Sequence, residues 1–369
     1  MTDITFIGHP FAPIGMGEQL RSHVAACLAV GLRPRVYDIF GYAQRGDETY
    51  RALIEPLEVA HVGGGLRVFH LNADEVEEAL GVFATRGNTL AAGTNVIVPA
   101  WELPAFPAPW VAALAHFDGV WALSHFIAAG LRGAGIESRY VGQSVEAPAG
   151  PLLPRRTLGL RESAFVLLHF FDLSSYSSRK NPEAVLALFH RLHAAAPYAD
   201  IQLLLKVKNI EADARVWVRE AGIPPSPQVK VIAEPLDALE TRSLVAAADV
   251  FVSLHRAEGF GRGLGEAMAM GRLAMGTGWS GNTDFMTPEN SLFVRHAQVP
   301  VPPGAYPHAA GQSWAEPDIA HAAELLAPML ADPTRGRAIA ERGRREVLTK
   351  LSHRAVGLRI AAALAEAGG

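Results

Sequence analysis

Residues 250–271 read VFVSLHRAEGFGRGLGEAMAMG and combine an apolar strand, a glycine-rich loop and the start of a helix. The apolar run ends at His255, Glu258 follows in the loop, and Glu266 lies in the helical part. The glycines of this segment are Gly259, Gly261, Gly263 and Gly265. They let the backbone approach a ligand without a clash from Cβ atoms. Because a helix N-terminus presents unpaired N–H groups and a positive dipole end, this unit predicts a phosphate site.

Short apolar runs alternate with longer amphipathic stretches along most of the chain. Residues 95–98 (NVIV) are continuously apolar after Asn95 and do not alternate, which is typical of a parallel sheet covered on both faces. We therefore predict an α/β fold built from doubly wound domains. The predicted strands are 4–8, 35–40, 67–71, 94–99, 119–123, 138–143, 164–172, 201–207, 229–233, 250–255 and 273–276. The predicted helices are 17–32, those from about 74 and 109, 124–133, 181–196, 212–221, 236–247, 264–270 and most of 316–367.

The domain organisation follows from a break in this alternation. Residues 146–156 (EAPAGPLLPRR) are rich in proline and lack periodicity, and 369 residues exceed what one core usually holds. We expect an N-terminal Rossmann-like domain over 1–147, a linker over 148–160, a C-terminal Rossmann-like domain over 161–350, and a helix over 351–369 that packs back on the first domain. We interpret the proline-rich residues 298–314 as a surface excursion.

Composition excludes several classes of protein. A formal net charge of −4 gives no case for a nucleic-acid binder. Cys27 is the single cysteine, which rules out an intrachain disulfide and a cysteine-based zinc site. No apolar run is long enough to span a bilayer and the N-terminus lacks a signal-peptide pattern, so we expect a cytoplasmic protein. Basic residues over 335–345 leave contact with the inner face of a membrane open.

Two segments carry a resemblance to a known family. Glu258 and Glu266, in their glycine frame, resemble the E-x7-E signature of retaining GT-B glycosyltransferases. Residues 169–189 (HFFDLSSYSSRKNPEAVLALF) are similar to the family's segment in which a basic pair, here Arg179 and Lys180, precedes a helix. The resemblance covers about residues 4–350. It implies a GT-B fold, with two Rossmann-like domains facing a cleft and a helical C-terminal tail.

The resemblance also implies roles for individual residues. Glu258, Arg179, Lys180 and Glu102 are the implied catalytic residues, with the basic pair stabilising the leaving diphosphate and Glu102 lying on the acceptor side. The implied donor-binding residues are Gly15, Gly17, Lys206, Phe260, Gly261, Arg262, Gly263, Glu266 and Asn282. Many relatives carry a further basic residue where this chain has Ser174 and Ser175, so Lys206 or Arg21 would have to supply that charge.

The implied activity is retaining transfer of a hexose of the mannose, glucose or rhamnose type in polysaccharide assembly. The donor is a nucleotide-sugar, and the acceptor is a saccharide or glycolipid. No Asp-x-Asp pair stands in a matching position, so we expect no metal and no cofactor. Two alternatives stay open: a GT-B-like sugar-nucleotide epimerase or phosphorylase, and a non-catalytic sugar-nucleotide-binding subunit. A nicotinamide dehydrogenase is disfavoured, because no third glycine follows Gly15 and Gly17 before the helix proceeds.

Overall fold

The computed structural model describes residues 3–41, 48–146, 150–209 and 226–367. The chain divides into two compact units, one formed by Met1–Glu146 together with Leu348–Gly369 and one formed by Ala147–Val347. The helix predicted over 212–221 lies outside the described residues. Among the helices of the described part, none combines the length and apolar character required to cross a membrane.

The described residues of the first unit form a six-stranded parallel sheet in the order β2-β1-β3-β4-β5-β6. Its strands are β1 (Ile4–Gly8), β2 (Arg35–Asp38), β3 (Leu66–Phe69), β4 (Thr94–Ile97), β5 (Gly119–Ala122) and β6 (Arg139–Tyr140). Its helices are α1 (Gly15–Ala29), α2 (Glu48–Ile54), α3 (Val76–Thr85), α4 (Ala108–Leu114), α5 (His125–Gly133) and, from the end of the chain, α12 (His353–Ala367). Strand–helix alternation along this half therefore gives the doubly wound sheet that the sequence predicts.

The second unit contains another six-stranded parallel sheet in its described part, in the order β12-β11-β10-β7-β8-β9. Its strands are β7 (Phe165–Asp172), β8 (Ile201–Lys208), β9 (Val229–Ile232), β10 (Val250–Ser253), β11 (Leu273–Thr277) and β12 (Leu292–Val294). The helices of this half are α6 (Ser177–Lys180), α7 (Pro182–Ala195), α8 (Ala238–Ala247), α9 (Arg262–Ala269), α10 (Ile319–Ala331) and α11 (Arg335–Leu351), the last of which continues into the first unit. The predicted fold class is confirmed.

The core of the second unit explains why its strands are almost entirely apolar. Side chains of β7, β8, β10, β11 and β12 pack with those of α7 and α10 in one buried cluster, so helices cover the sheet. Among the buried polar residues that interrupt the apolar strands are His169 in β7 and Lys206 in β8. Burial of a polar group is costly unless it is hydrogen-bonded, so both positions point to a specific environment.

The C-terminal helix α12 packs against α1 of the first unit. A Cβ atom at Gly357 would lie 2.1 Å from the carbonyl oxygen of Ala26, so the two helices approach closely where glycine allows it. Arg359 Nε donates to the carbonyl of Val141 at 2.7 Å. The end of the chain thus belongs to the same compact unit as its beginning.

The interpretation of residues 298–314 as a surface excursion missed a strand at each end of the segment. Its two ends lie in an antiparallel pair, β13 (His296–Pro300) and β14 (Ser313–Pro317), which stands apart from the parallel sheet. Trp314 is 2% exposed and Ala315 is fully buried. We call residues 296–317 the hairpin. Its prolines hid the strand pairing, because proline weakens a strand prediction even at the edge of a sheet.

Candidate functional site

The strand order of the second unit indicates where a ligand binds. The order reverses between β7 and β10, and ligands of open α/β sheets bind at the carboxyl ends of the strands at such a switch point. The loop after β7 leads to the one-turn helix α6, which carries Arg179 and Lys180. The loop after β10 carries Glu258. The topology therefore brings together two segments that are about 80 residues apart in the chain.

Glu258 is buried and paired with both basic residues. Lys180 Nζ donates to Glu258 Oε1, and Arg179 Nη1 lies 3.4 Å from Oε2. Burial alone would raise the pKa of Glu258, but the charges of Lys180 and Arg179 outweigh it and lower the pKa to about 2. We call these three residues the Glu258 cluster. Two cations and one carboxylate leave it with one net positive charge.

Backbone contacts hold Glu258 between two loops. Its N–H donates to Ser280 Oγ at 3.0 Å, and its carbonyl accepts from the N–H of Gly281 at 2.9 Å. A Cβ atom at Gly281 would lie only 2.0 Å from the carbonyl oxygen of Gly259. The loops after β10 and β11 are therefore pressed together so tightly that only glycine fits at position 281.

Two glycines at the start of α9 are required by the local structure, each for a different reason. Gly261 adopts φ +88° at the helix N-cap, a left-handed conformation that favours glycine. A Cβ atom at Gly263 would lie 2.8 Å from the ring of Phe251 in β10. The N–H groups of Leu264 and Gly265 donate to the carbonyl of Gly261, so the N–H groups that a ligand could meet precede Leu264. This narrows the predicted phosphate contacts to the first residues of the helix.

Hydrogen bonds of the buried His255 and Asn282 connect the segments that follow β10 and β11. His255 Nε2 lies 3.1 Å from Asn282 Oδ1, and Asn282 Nδ2 donates to the carbonyl of Thr277 at 2.9 Å. Burial lowers the pKa of His255, so it is neutral at pH 7. The amide of Asn282, predicted from the sequence to contact the donor, is engaged in holding these loops together and is fully buried.

Other predicted donor-binding residues lie in different environments. Phe260 packs its ring on that of Phe285, with the ring centroids 5.5 Å apart, and Arg262 pairs with Glu266 along α9 at 2.7 Å. Lys206 is buried in β8 and its Nζ donates to the carbonyl of Val207 at 3.1 Å. Burial lowers its pKa, and the charges that act on it come from outside the Glu258 cluster.

His169 and Asn181 are two buried polar residues near the Glu258 cluster to which the sequence assigns no role. His169 in β7 places Nδ1 2.8 Å from the carbonyl of Val252, and burial lowers its pKa to about 4 while the charges of Lys180 and Glu258 also act on it. Asn181 follows Lys180 and is 1% exposed, and its amide atoms have no hydrogen-bond partner within the described ranges. A polar side chain within an otherwise apolar strand is the signal that points to His169, whereas Asn181 lies outside the strands and carries no such signal.

The predicted glycine loop of the first unit lies between β1 and α1. A Cβ atom at Gly17 would lie 2.3 Å from the carbonyl oxygen of Ala12, whereas one at Gly15 would meet nothing within 4 Å. Arg21 Nη1 donates to the carbonyls of Pro10 and Ala12 at 2.7 and 3.0 Å. Gly17 and Arg21 therefore shape the loop itself, and Gly15 has no comparable packing reason.

Glu102 lies in the loop that follows β4 of the first unit. The preceding residue, Trp101, is 2% exposed, and its Nε1 donates to the carbonyl of Ala105 at 2.8 Å. The ring of Trp101 also packs edge-on against that of Trp110, with the centroids 5.1 Å apart. These contacts anchor the loop, in which Glu102 is half-buried.

The site contains cations rather than a metal-ligand set. Across the described ranges, no group of three or more His, Cys, Asp or Glu side chains is placed to hold a metal ion. A guanidinium and an ammonium next to a helix N-terminus are suited to a phosphate, since both donate charge-assisted hydrogen bonds. The arrangement can therefore bind an anion and stabilise negative charge that develops on it.

Known structures with the same architecture include several glycosyltransferases. HepE of Anabaena, solved with UDP and glucose, is 16% identical, with a TM-score of 0.71 and coverage of 99% of this chain and 100% of that one. Sucrose-phosphate synthase of Thermosynechococcus elongatus is 16% identical, with a TM-score of 0.68 and coverage of 99% of both chains. WaaG, a glycosyltransferase involved in lipopolysaccharide biosynthesis, is 15% identical, with a TM-score of 0.62 and coverage of 99% and 100%.

These likenesses establish the fold of the chain as GT-B. No protein-family model matches the sequence, and no curated protein matches it by sequence comparison.

Proposed function

We propose that this chain is a glycosyltransferase that transfers a hexose, of the mannose, glucose or rhamnose type, from a nucleoside-diphosphate sugar to a saccharide or glycolipid acceptor with retention of configuration. One observation carries the proposal: a cationic pair is held on a buried carboxylate at the switch point of a GT-B sheet. That the similar HepE was solved with UDP-glucose supports a nucleotide-sugar donor.

The reaction breaks the bond between the anomeric carbon and a phosphate oxygen, and the electron pair of that bond goes to the phosphate. Arg179 and Lys180 stabilise the negative charge that develops there, together with the N–H groups at the start of α9. An ammonium has three N–H donors, so Lys180 can contact Glu258 and a phosphate oxygen together. These fixed charges perform the task that a divalent cation performs in other transferases, and the proposal requires no metal or cofactor.

Glu258 has an electrostatic and positioning role in this scheme. Because Lys180 and Arg179 keep its pKa near 2, it is ionised at every pH at which an enzyme normally works and cannot serve as a general acid. Its oxygens accept hydrogen bonds from the cations and from hydroxyls of the transferred sugar. The leaving phosphate itself removes the proton of the acceptor hydroxyl on the same face of the sugar, which gives retention.

The first unit contributes the acceptor side of the proposed reaction. Glu102, held by the anchored loop after Trp101, is the residue that we assign to the acceptor. Gly15 is assigned to the donor phosphates, since its lack of a side chain is unexplained by packing. Around the start of α9, the proposal assigns Gly261, Gly263 and Glu266 to the donor, and the other donor-binding residues implied by the resemblance stay predictions.

A panel of UDP-, GDP-, ADP- and dTDP-sugars tests the proposal by thermal shift. A donor at 100 times its Kd stabilises the protein by about 2.7 kcal/mol. The matching donor is then incubated with candidate saccharide acceptors, and nucleoside diphosphate and product are quantified, with the anomeric configuration read by NMR. The variant Lys180→Ala is measured in the same assay. Lys350→Ala is its control, because Lys350 is also a lysine but is exposed in α11.

The same assay separates the alternatives. Conversion of the donor without an acceptor and without release of nucleoside diphosphate indicates an epimerase, and use of inorganic phosphate as acceptor indicates a phosphorylase. Donor binding with no turnover across the acceptor panel indicates a sugar-nucleotide-binding subunit. Failure of all four donor classes to stabilise the wild-type protein contradicts the proposed function.

A further inference from the structure

The hairpin, residues 296–317, is hydrogen-bonded to the loop that follows β10 in the candidate site. Its strands pair only with each other in the described part of the chain, in a register that places Gln298 opposite Ala315. The N–H of Ala315 donates to the carbonyl of Arg256 at 3.0 Å. Arg256 lies two residues before Glu258, so the hairpin contacts the loop that carries the buried carboxylate.

Arg256 connects the hairpin to the turn that carries the cations. Its guanidinium contacts both carboxylate oxygens of Glu316 in β14, with Nε 2.5 Å from Oε2 and Nη2 3.1 Å from Oε1. Its Nη1 donates to the carbonyl of Ser178 at 2.8 Å, and its backbone N–H donates to the carbonyl of Arg179 at 2.7 Å. One side chain therefore joins β14 to α6.

The turn over residues 176–181 adopts an unfavourable backbone conformation. Tyr176 and Asn181 both have φ of 55°, so the single turn of α6 lies between two left-handed residues that are not glycine. Such conformations persist only where the surrounding structure over-determines them, and they are concentrated at functional sites. A segment of this kind needs external contacts to keep Arg179 and Lys180 in one position.

The hairpin supplies further contacts of that kind. Ser178 Oγ donates to the carbonyl of Ala305, between the two strands of the hairpin, at 2.9 Å. The ring of Tyr176 packs edge-on against that of Tyr306, with the centroids 5.0 Å apart. Contacts from the hairpin thus reach both the strained first residue of the turn and the middle of α6.

We propose that the hairpin positions Arg179 and Lys180 for the leaving diphosphate, and that Arg256 is the positioning residue through which it acts. The inference rests on the proposed function, because it concerns the geometry of the same phosphate site. A misplacement of about 1 Å in a catalytic group commonly costs about 100-fold in rate. Loss of the connection therefore lowers kcat and diphosphate affinity while the nucleoside part of the site stays intact.

The test compares Arg256→Lys, Glu316→Gln and the milder Ser178→Ala with the wild-type full-length chain. Arg295→Met is the control, because Arg295 pairs with Asp318 at 3.1 Å and is largely exposed. Isothermal titration with UDP, GDP and ADP and with the corresponding nucleosides gives the two affinities, and steady-state kinetics give kcat and KM.

We expect Arg256→Lys and Glu316→Gln to weaken diphosphate binding by at least ~10-fold and to lower kcat by ~100-fold, with nucleoside affinity and melting temperature close to wild type. We expect a smaller effect in the same direction from Ser178→Ala. If the other two variants do not fold, the diphosphate affinity and kcat of Ser178→Ala decide the test. Unchanged diphosphate affinity in the folded variants overturns the inference. Equal losses for nucleoside and diphosphate also overturn it, because they indicate general damage. If the wild type binds none of the diphosphates, the proposed function itself fails.

Discussion

Replacing Glu258 with glutamine removes one negative charge from between two cations while the shape of the side chain is kept. Lys180 and Arg179 lower the pKa of Glu258 from its ordinary value of 4.5 to about 2. Each pH unit of such a difference corresponds to about 1.4 kcal/mol, so ionised Glu258 stabilises the folded second unit by about 3 kcal/mol at pH 7. Because glutamine resembles the protonated acid, Glu258→Gln should cost about that amount and leave the protein folded.

The sign of the pH dependence follows from the direction of the pKa change. The pKa is lower in the folded state than in the unfolded state, so the stabilisation is complete above about pH 5 and declines as the pH falls toward 2. Between pH 5 and pH 3 the wild type should lose about 2 kcal/mol that the variant does not lose. The free-energy difference between wild type and Glu258→Gln should therefore shrink as the solution is acidified.

Urea unfolding at pH 7, 5 and 3, followed by pulsed hydrogen exchange and mass spectrometry, measures this difference. Peptides that cover β7 and β10 report on the second unit alone. Glu266→Gln is the matched control, since Glu266 lies in the same segment, pairs with Arg262 at 2.7 Å and is about one-third exposed. Exposed pairs contribute about 0–1 kcal/mol, so the control should have a small effect at every pH. A destabilisation by Glu258→Gln that is absent at pH 7, or equal at pH 7 and pH 3, would refute the reasoning.

Three further outcomes are expected. Lys180→Ala should lower turnover by at least ~100-fold in the donor–acceptor assay, because it removes a transition-state contact, while Lys350→Ala should not. Gly17→Ala should lower the melting temperature, since its Cβ would lie 2.3 Å from the carbonyl oxygen of Ala12, whereas Gly15→Ala should preserve the melting temperature and affect only activity; equal melting temperatures would contradict the packing argument. Treatment with EDTA should leave turnover unchanged, and recovery of lost activity by Mg²⁺ or Mn²⁺ would contradict the metal-free scheme.

Much of the fold could be predicted because its signals are local. The continuous apolar runs of β7, β8 and β10 predict a buried parallel sheet, and the structure has those strands in that arrangement. The strands of the hairpin escaped prediction. Their pairing depends on a partner 13 to 21 residues away and on the burial of Trp314, and neither is encoded in the hydrophobic period of the segment.

Part of the predicted candidate site depends on local signals of the same kind. Glycines 261 and 263 and the acid at 258 stand in one short segment, so their proximity follows from the sequence. Asn282 shows the opposite case: the resemblance implies a donor contact, and the structure adds hydrogen bonds to His255 and Thr277 that the sequence does not predict. Whether a polar side chain meets a ligand or the protein depends on what packs around it, which composition does not reveal.

Sequence alone determined the α/β class, the two-part organisation expected along the chain and the strand–glycine–helix unit at 250–271, because hydrophobic periodicity and glycine placement act over a few residues. Tertiary structure decided that Lys180 and Arg179 share the buried Glu258 and that Arg256 ties their turn to the hairpin. Those contacts join residues about 60 to 80 positions apart, and their strength depends on the exclusion of water, which exists only once the sheet and its loops have packed.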